Sequence, residues 1–337
     1  MKYTILHIYL LVGCLFYLVN LSAQDVHFTQ FTQTPLYFNP AMTGHIEGSY
    51  RVQLINREQW LSIGGGTAFS TALVSFDGNV GLKKSNNSIG IGVMAFNDRT
   101  GGGVFNNIGA SGGFAYHLNF DRDSKHFLSA GALIGILNKR IKSDGITFED
   151  QFNGETIDAT LPTSELLTNS SFMNINLNAG LLWSSYFSNN SYLRIGLAAS
   201  HLVTAKESFY GLDADLPMRL TAQLETSIRV LSKLNLQPAV LYMNQASASQ
   251  INAGLLAKYE LSQSTAISIG GGMRLGDAYY AMVGYRFKGL TIGASYDINS
   301  SDLKVATNGV GAIEFSLGFV GTISNRVEPV VPAIRFY

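Results

Sequence analysis

The chain has 337 residues, 23 basic against 23 acidic, and only 14% charged positions where an average soluble domain has roughly 25%. That balance leaves no basic footprint for nucleic acid, and 46% hydrophobic residues are too many for a disordered chain. Beyond the N-terminus no apolar run approaches the ~18 residues of a membrane-spanning helix, so the apolar residues must be interleaved with polar ones. That is the composition of a transmembrane β-barrel.

The first segment reads as a leader. Lys2 supplies a positive start, Tyr3 to Val19 are almost wholly apolar, and Leu21-Ser22-Ala23 ends on a small residue. The expected signal peptide is 1–23, with Gln24 as the first mature residue. Its removal takes away Cys14, the single cysteine, so no disulfide is expected in the exported chain. Leu11-Val12-Gly13-Cys14 offers a rival lipoprotein site, disfavoured because the apolar run continues straight through it.

Period-two alternation then runs along most of the chain. At 172–187, Met173, Ile175, Leu177, Ala179, Leu181, Trp183 and Phe187 share one face, with Asn174, Asn176, Asn178, Gly180 and Ser184 on the other. At 218–230, Leu220, Ala222, Leu224, Ile228 and Val230 oppose Arg219, Thr221, Gln223, Glu225 and Arg229. In 277–287, Tyr279, Tyr285 and Phe287 flank Ala281 and Val283, like an aromatic girdle. Such segments predict about fourteen strands, near 49–56, 67–77, 88–97, 107–119, 126–138, 172–187, 191–201, 218–230, 233–243, 248–260, 264–274, 277–287, 290–298 and 308–320.

The links between them are unequal. Leu231-Ser232 and Lys288-Gly289 are tight, whereas 139–171, 202–217 and 299–307 are long. Short periplasmic turns alternating with longer external loops mark an outer-membrane barrel with both termini inside. The expected fold is therefore all-β: an up-and-down transmembrane β-barrel of about fourteen antiparallel strands. Closure leaves no unpaired edge in lipid.

No chemistry-bearing constellation stands out. His27, His45, His117, His126 and His201 lack metal-ligand spacing and read as interfacial or turn residues. Gly64-Gly65-Gly66, Gly101-Gly102-Gly103 and Gly270-Gly271-Gly272 are followed by no Lys-Ser/Thr, so they are not phosphate loops. Asp121 and Asp123 begin a calcium-like spacing that Lys125 breaks, and Asp213 and Asp215 sit in a long loop open to a loosely held cation. No Ser/His/acid set can be paired from spacing alone. No enzyme activity, cofactor or metal is expected. The charged residues on the inward faces, Arg219, Glu225, Arg229, Lys258, Glu260, Arg286, Asp297 and Glu314, mix both signs. In so wide a barrel this lining implies a wet channel or a polar plug held by charge-assisted contacts.

Residues 24–47 precede the first strand and carry Asp25, His27, Phe28, Gln30, Phe31, Pro35, Tyr37, Phe38, Asn39 and Pro40. Two prolines hold the residues before them in extended shapes, and the aromatic groups need a surface to bury against. The barrel's periplasmic mouth or lumen is the nearest, so an N-terminal plug or periplasmic segment is expected.

This segment resembles that of the PorP/SprF family, outer-membrane proteins of the Bacteroidetes type IX secretion and gliding machinery. Its members begin with an Asp-Pro-His-Phe-Ser-Gln-Phe-like stretch, then Pro-Leu-Tyr-Asn-Pro-Ala and Gly. Here the similarity runs through His27, Phe28, Gln30, Phe31, Pro35, Leu36, Tyr37, Asn39, Pro40, Ala41 and Gly44. It continues at Arg57-Glu58-Gln59-Trp60, Ser295-Tyr296-Asp297-Ile298-Asn299 and Glu314-Phe315-Ser316-Leu317. Val26 departs from the usual proline, and Pro332-Ala333-Ile334-Arg335-Phe336-Tyr337 departs from a Cys-Pro-Arg-Phe tail. Asn39-Pro40-Ala41 also looks like the N-terminal motif of the FadL family of fourteen-strand barrels.

The resemblance implies a non-enzymatic outer-membrane component of type IX secretion, assisting export or surface anchoring of a large cargo protein such as a gliding adhesin. Implied partners are outer-membrane lipid, the translocon, periplasmic ring components and the cargo. The alternative is a FadL-like transporter of small hydrophobic compounds. Expected divisions are 1–23 signal peptide, 24–47 plug or periplasmic segment, 48–320 barrel and 321–337 periplasmic tail.

Overall fold

The computed structural model describes residues 25–62, 68–82, 85–121, 123–142, 146–158, 160–164, 170–188, 191–209, 215–302 and 304–323. The leader 1–23, the Gly64-Gly65-Gly66 run, Asp213 and the tail from 324 lie outside the described residues.

Fourteen strands follow one another: β1 Tyr50–Gln59, β2 Phe69–Gly81, β3 Ser88–Thr100, β4 Phe105–Asn119, β5 His126–Ile141, β6 Ser171–Ser188 and β7 Ser191–Ser200. The second half comprises β8 Arg219–Leu231, β9 Leu234–Gln245, β10 Ala248–Glu260, β11 Thr265–Arg274, β12 Ala278–Phe287, β13 Leu290–Asn299 and β14 Val310–Gly321. Each pairs antiparallel with its chain neighbours, and β1 closes onto β14 with Tyr50 opposite Gly321 and Gln59 opposite Ala312. The barrel is thus closed and has no free edge to protect in lipid.

Alternation sets the strand bounds. β10 occupies the interval its pattern predicts, and the ends of the others move by a few residues. Odd positions of β8 from Arg219 to Ser227 are buried inside the barrel, while Leu220, Leu224 and Ile228 remain exposed on its outer face. On β11, Ile267 and Ile269 face outward, and Ile269 is 68% exposed. Tyr279, Val283, Tyr285 and Phe287 do the same on β12. Exposed apolar side chains on this scale fit a surface solvated by acyl chains.

The turns at the end that holds both barrel termini are short. Between β12 and β13, Lys288 (φ 48°) and Gly289 (φ 84°) both take left-handed backbone, the two-residue geometry that matches strand twist. The longer links, 142–170 and 201–218, lie at the opposite end. By the rule for bacterial barrels the short-turn end faces the periplasm. The core is not between sheets. It lies in the lumen, where Phe28, Phe31, Leu36, Tyr37 and Phe38 pack against inward side chains of the wall, including Ile55, Leu73, Met94, Leu133, Leu241 and Met243.

Candidate functional site

Residues 25–46 fill much of the lumen. The segment folds as three tight turns: Phe31–Gln33, a single helical turn Pro35–Phe38, and Pro40–Met42. Pro35 and Pro40 each open a turn, where the missing N–H costs nothing and the fixed φ already suits the bend. The Asn39 side chain accepts from the Ala41 N–H at 2.9 Å, so it caps the last turn. Phe28, Tyr37 and Phe38 meet edge to face at 5.9 and 5.1 Å between ring centroids.

Three sets of polar contacts tie this segment to the wall. The first lies toward the external end. The Asp25 carboxylate accepts from Arg219 Nη1 at 2.8 Å and meets His201 Nε2 at 2.6 Å, and the Asp25 N–H donates to Gln245 Oε1. Burial alone would raise the pKa of Asp25. The Arg219 guanidinium and the His201 hydrogen bond outweigh burial and hold the carboxyl below the usual carboxylate range. Arg219 also donates to the Tyr37 carbonyl and lies 4.7 Å above the Tyr37 ring.

The second set forms at the barrel's closure. The Thr29 and Gln30 N–H groups donate to the two oxygens of Glu314 at 2.6 and 2.8 Å. Glu314 and Asp297 are bridged by Arg57, at 2.6 and 3.1 Å, and Asp297 takes a second guanidinium from Arg274 at 2.8 Å. The Thr29 hydroxyl donates to Asp297 at 2.8 Å. Gln30 completes the set by accepting from the Ser316 hydroxyl. His27 stands 3.5 Å from Arg57. Burial first, then the Arg274 and Arg57 charges, hold its imidazole well below the ordinary histidine value.

The third set depends on what the wall leaves out. A Cβ on Gly131 of β5 would strike the Pro40 carbonyl, one on Gly180 of β6 the Asn39 amide, and one on Gly196 of β7 the same amide from the other side. These positions carry no side chain because the segment's backbone lies against them. Asn39 Nδ2 donates to the Leu181 carbonyl at 3.1 Å. Further along, Gly44 has φ +70° and its Cα abuts Gly90 of β3. Its N–H donates to Asp77, which Arg51 holds at 2.7 Å. His117 donates to the Thr43 carbonyl at 2.9 Å. His45 Nε2 lies 3.1 and 3.0 Å from the Ser184 and Tyr186 hydroxyls, with burial, then Arg194, depressing its pKa well below the ordinary value.

The residues singled out from the sequence thus fall into separate groups. His27, Phe28, Gln30, Phe31, Pro35, Tyr37, Asn39 and Pro40 all lie within the lumen segment, and Arg219, Asp297 and Glu314 bind it. Glu225, Lys258 and Arg286 instead line a chamber of about 290 Å³ between the segment and β7–β13. Arg229 is in phase with the inward face but exposed at the periplasmic rim, where it pairs with Glu260 at 3.0 Å.

The histidine reading is corrected. His45 and His117 are buried lumen residues, and His201, just past β7 in left-handed backbone (φ 60°), is a buried loop residue; all three hold the segment or its partners. Their environment depends on pairings between distant residues, which spacing does not show. Asp25, Thr29, Arg51, Asp77 and Arg274 were not singled out for their contacts, although Arg51 and Asp77 stand on the inward phase of β1 and β2. Asp121 accepts from the Lys125 and His126 backbone and closes a turn. Among the described residues no group of three His, Cys, Asp or Glu is placed to hold a metal.

The architecture has solved counterparts. The deltaS2S3 mutant of the monoaromatic hydrocarbon channel TodX superposes with a TM-score of 0.52 at 8% identity, covering 86% of this chain and 94% of its own. The monoaromatic hydrocarbon channel CymD gives 0.51 at 11% identity, over 90% and 96%. At such identities the likeness is one of fold alone. No curated protein matches by sequence. The family match is one of sequence: residues 20–319 fit the pattern of the type IX secretion system membrane protein PorP/SprF. A fit spanning the lumen segment and nearly all of the barrel means that this chain belongs to the PorP/SprF family of type IX secretion system membrane proteins.

Proposed function

We propose that this outer-membrane barrel serves type IX secretion as a docking or anchoring component for a large secreted cargo, such as a gliding adhesin, rather than as the conduit. The family match over residues 20–319 carries the reading. The occupied lumen supports the anchoring role: Phe28 to Phe38 pack across it against wall residues such as Ile55, Leu133 and Leu241, where a polypeptide in transit would have to pass. In this reading residues 24–47 act as a plug, 1–23 are cleaved on export, and the short-turn end with the tail 321–337 meets translocon and periplasmic ring partners. The alternative, transport of small hydrophobic compounds as the neighbours' names describe, is less well supported. The remaining chamber is lined by Arg194, Glu225, Lys258 and Arg286, which suit an apolar solute poorly.

Deleting residues 27–44 tests the role of the plug. The barrel is expected to reach the outer membrane at normal abundance while surface display of the cognate cargo is lost. Normal display by a normally abundant deletion variant would reduce the segment to packing, and move cargo recognition to loops 142–170 and 201–218.

A further inference from the structure

The strands turn nearly all their charge inward, and Arg51, Arg57, Arg219 and Arg274 are buried there. Among the basic residues of the described strands only Arg99 of β3 and Arg140 of β5 take the outward phase, and both are exposed. Their neighbours fix that phase. Asp98 accepts from the Thr71 hydroxyl inside the barrel, and Lys139 lines the lumen, where it pairs with Glu207.

Strand register sets the two arginines in one row of the outer face. Arg99 stands opposite Asn106 of β4, and Asn106 opposite Arg140. They are two strands apart, about 10 Å, which two extended arginine side chains can close. Among the described residues neither guanidinium has a hydrogen-bond or ion-pair partner. Asn106 makes no side-chain hydrogen bond, and because its Oδ1 is buried, its Nδ2 is the end turned outward.

No carboxylate answers this row. Glu58 of β1 is the one acid on the outward phase of the described strands. It lies opposite Ser70, two strands from Arg99, and accepts from Asn56 and Ser70. The turn Gly101–Gly103 above the row is uncharged, and the exposed Lys142 joins that side through its N–H to the Val104 carbonyl. In the loop beyond β5, Asp150 is held by Thr163 and Ser164, and Asp158 by Thr160.

Below the row the same three strands are apolar: Ile91 and Val93, Ile108 and Phe114, Ile134 and Ile136 are all exposed. Hydrocarbon surface topped at one level by two unpaired guanidinium groups and an amide donor matches a lipid, with acyl chains below and an anionic head group above. The guanidinium fork suits phosphate oxygens. A protein partner would require no such alignment of charge with depth. The row lies at the long-loop end, which by the rule for bacterial barrels faces outward.

We infer that the outer face of β3–β5 holds an anionic lipid of the outer leaflet, its phosphate clasped between Arg99 and Arg140 with Asn106 donating between them. The inference goes beyond the secretion reading and requires only that the barrel spans the membrane.

Native mass spectrometry of the full-length barrel, titrated with lipid in detergent micelles, tests it. The probes are dimyristoyl phosphatidic acid and dimyristoyl phosphatidylcholine, which share acyl chains and a phosphate but differ in net charge. Phosphatidic acid is expected to bind, and phosphatidylcholine to bind on the order of 10-fold more weakly, the scale of one lost charge-assisted hydrogen bond. Arg99→Gln with Arg140→Gln should weaken phosphatidic acid by at least that factor. Lys304→Gln, exposed in the β13–β14 link, should leave it unchanged. Gel mobility before and after boiling verifies that each variant is folded. Equal binding of the two lipids, or full displacement of phosphatidic acid by inorganic phosphate, would overturn the inference. So would unchanged lipid binding by the double variant, and loss of a copurifying polypeptide from that variant would then assign the face to a protein.

Discussion

Arg57 and Glu314 face each other across the seam where β1 meets β14, and their side chains join at 2.6 Å over the N–H groups of Thr29 and Gln30. The closure of the barrel and the docking of its lumen segment therefore share one carboxylate. A buried pair of this kind need not add net stability, but removing one partner strands the other. Glu314→Gln is expected to cost about 3–5 kcal/mol, read as a lower urea midpoint for unfolding from micelles. It should also open residues 27–31 to protease before the strands unfold. A variant with native midpoint and native protease resistance would show that the seam does not depend on this carboxylate.

Asn39 and Gly180 provide a second coupling. Gly180→Ala drives a methyl group into the Asn39 amide, and Asn39→Ala removes both the Leu181 bond and the Ala41 cap. Asn39→Ala should cost about 1–3 kcal/mol. The double variant should lose much less than the sum of the two single losses, because truncating Asn39 makes room for the methyl group. Residues in contact show such coupling, and independent sites do not. Additive losses in urea unfolding would place the segment elsewhere in the lumen.

What the sequence conveyed and what it withheld divide along one physical line. Period-two alternation is local, so β10 is legible to the residue, and the inward phase of Arg219, Asp297 and Glu314 can be counted from their apolar neighbours. Which inward residues meet is not local. Arg57 and Asp297 lie on strands separated by most of the chain, and only the closure of β1 onto β14 brings Arg57 to the carboxylate that Arg274, two strands from Asp297, also holds. The composition of the N-terminal segment announced a need for burial. The site of that burial was written in glycines at 131, 180 and 196, each unremarkable within its own strand. Arg229 shows the limit of phase counting. It continues the inward register of β8 but has passed the rim, so it is solvated.

The wall makes a prediction that follows from alternation. Leu224→Arg should cost about 2–4 kcal/mol, as a charge at the lipid midplane does. Gln223, its inward neighbour, is a poor control because it packs beside Asn39 near Gly196. Ile269 and Ser268 make the cleaner pair, one 68% exposed to lipid and the other lining the chamber. Ile269→Arg should show the full loss in a lipid-vesicle folding titration, and Ser268→Arg a small one. Equal losses would mean that the inside and outside faces are misassigned.

The histidines give the lumen segment an acid sensitivity whose direction is fixed. His27 and His45 are held neutral, with folded pKa values well below the ordinary one. The unfolded chain therefore binds more protons than the folded one as pH falls through about 6.5, and stability drops with it. A protonated His45 would be a buried charge facing the Arg194 guanidinium. Asp25 behaves differently, because its folded pKa is depressed as a carboxylate. Its contribution persists above the unfolded value of about 3.9 and is lost only as pH falls through the lower folded one. Hydrogen exchange at pH 7.5 and 5 should thus show faster opening of residues 42–46 at the lower pH, and His45→Gln should remove most of that difference. Residues 28–30 should loosen in the same range through His27, a change that His27→Gln abolishes while the Asp25–Arg219 contact survives. Exchange rates independent of pH, after correction for intrinsic chemistry, would mean that neither imidazole is linked to the docking of the segment.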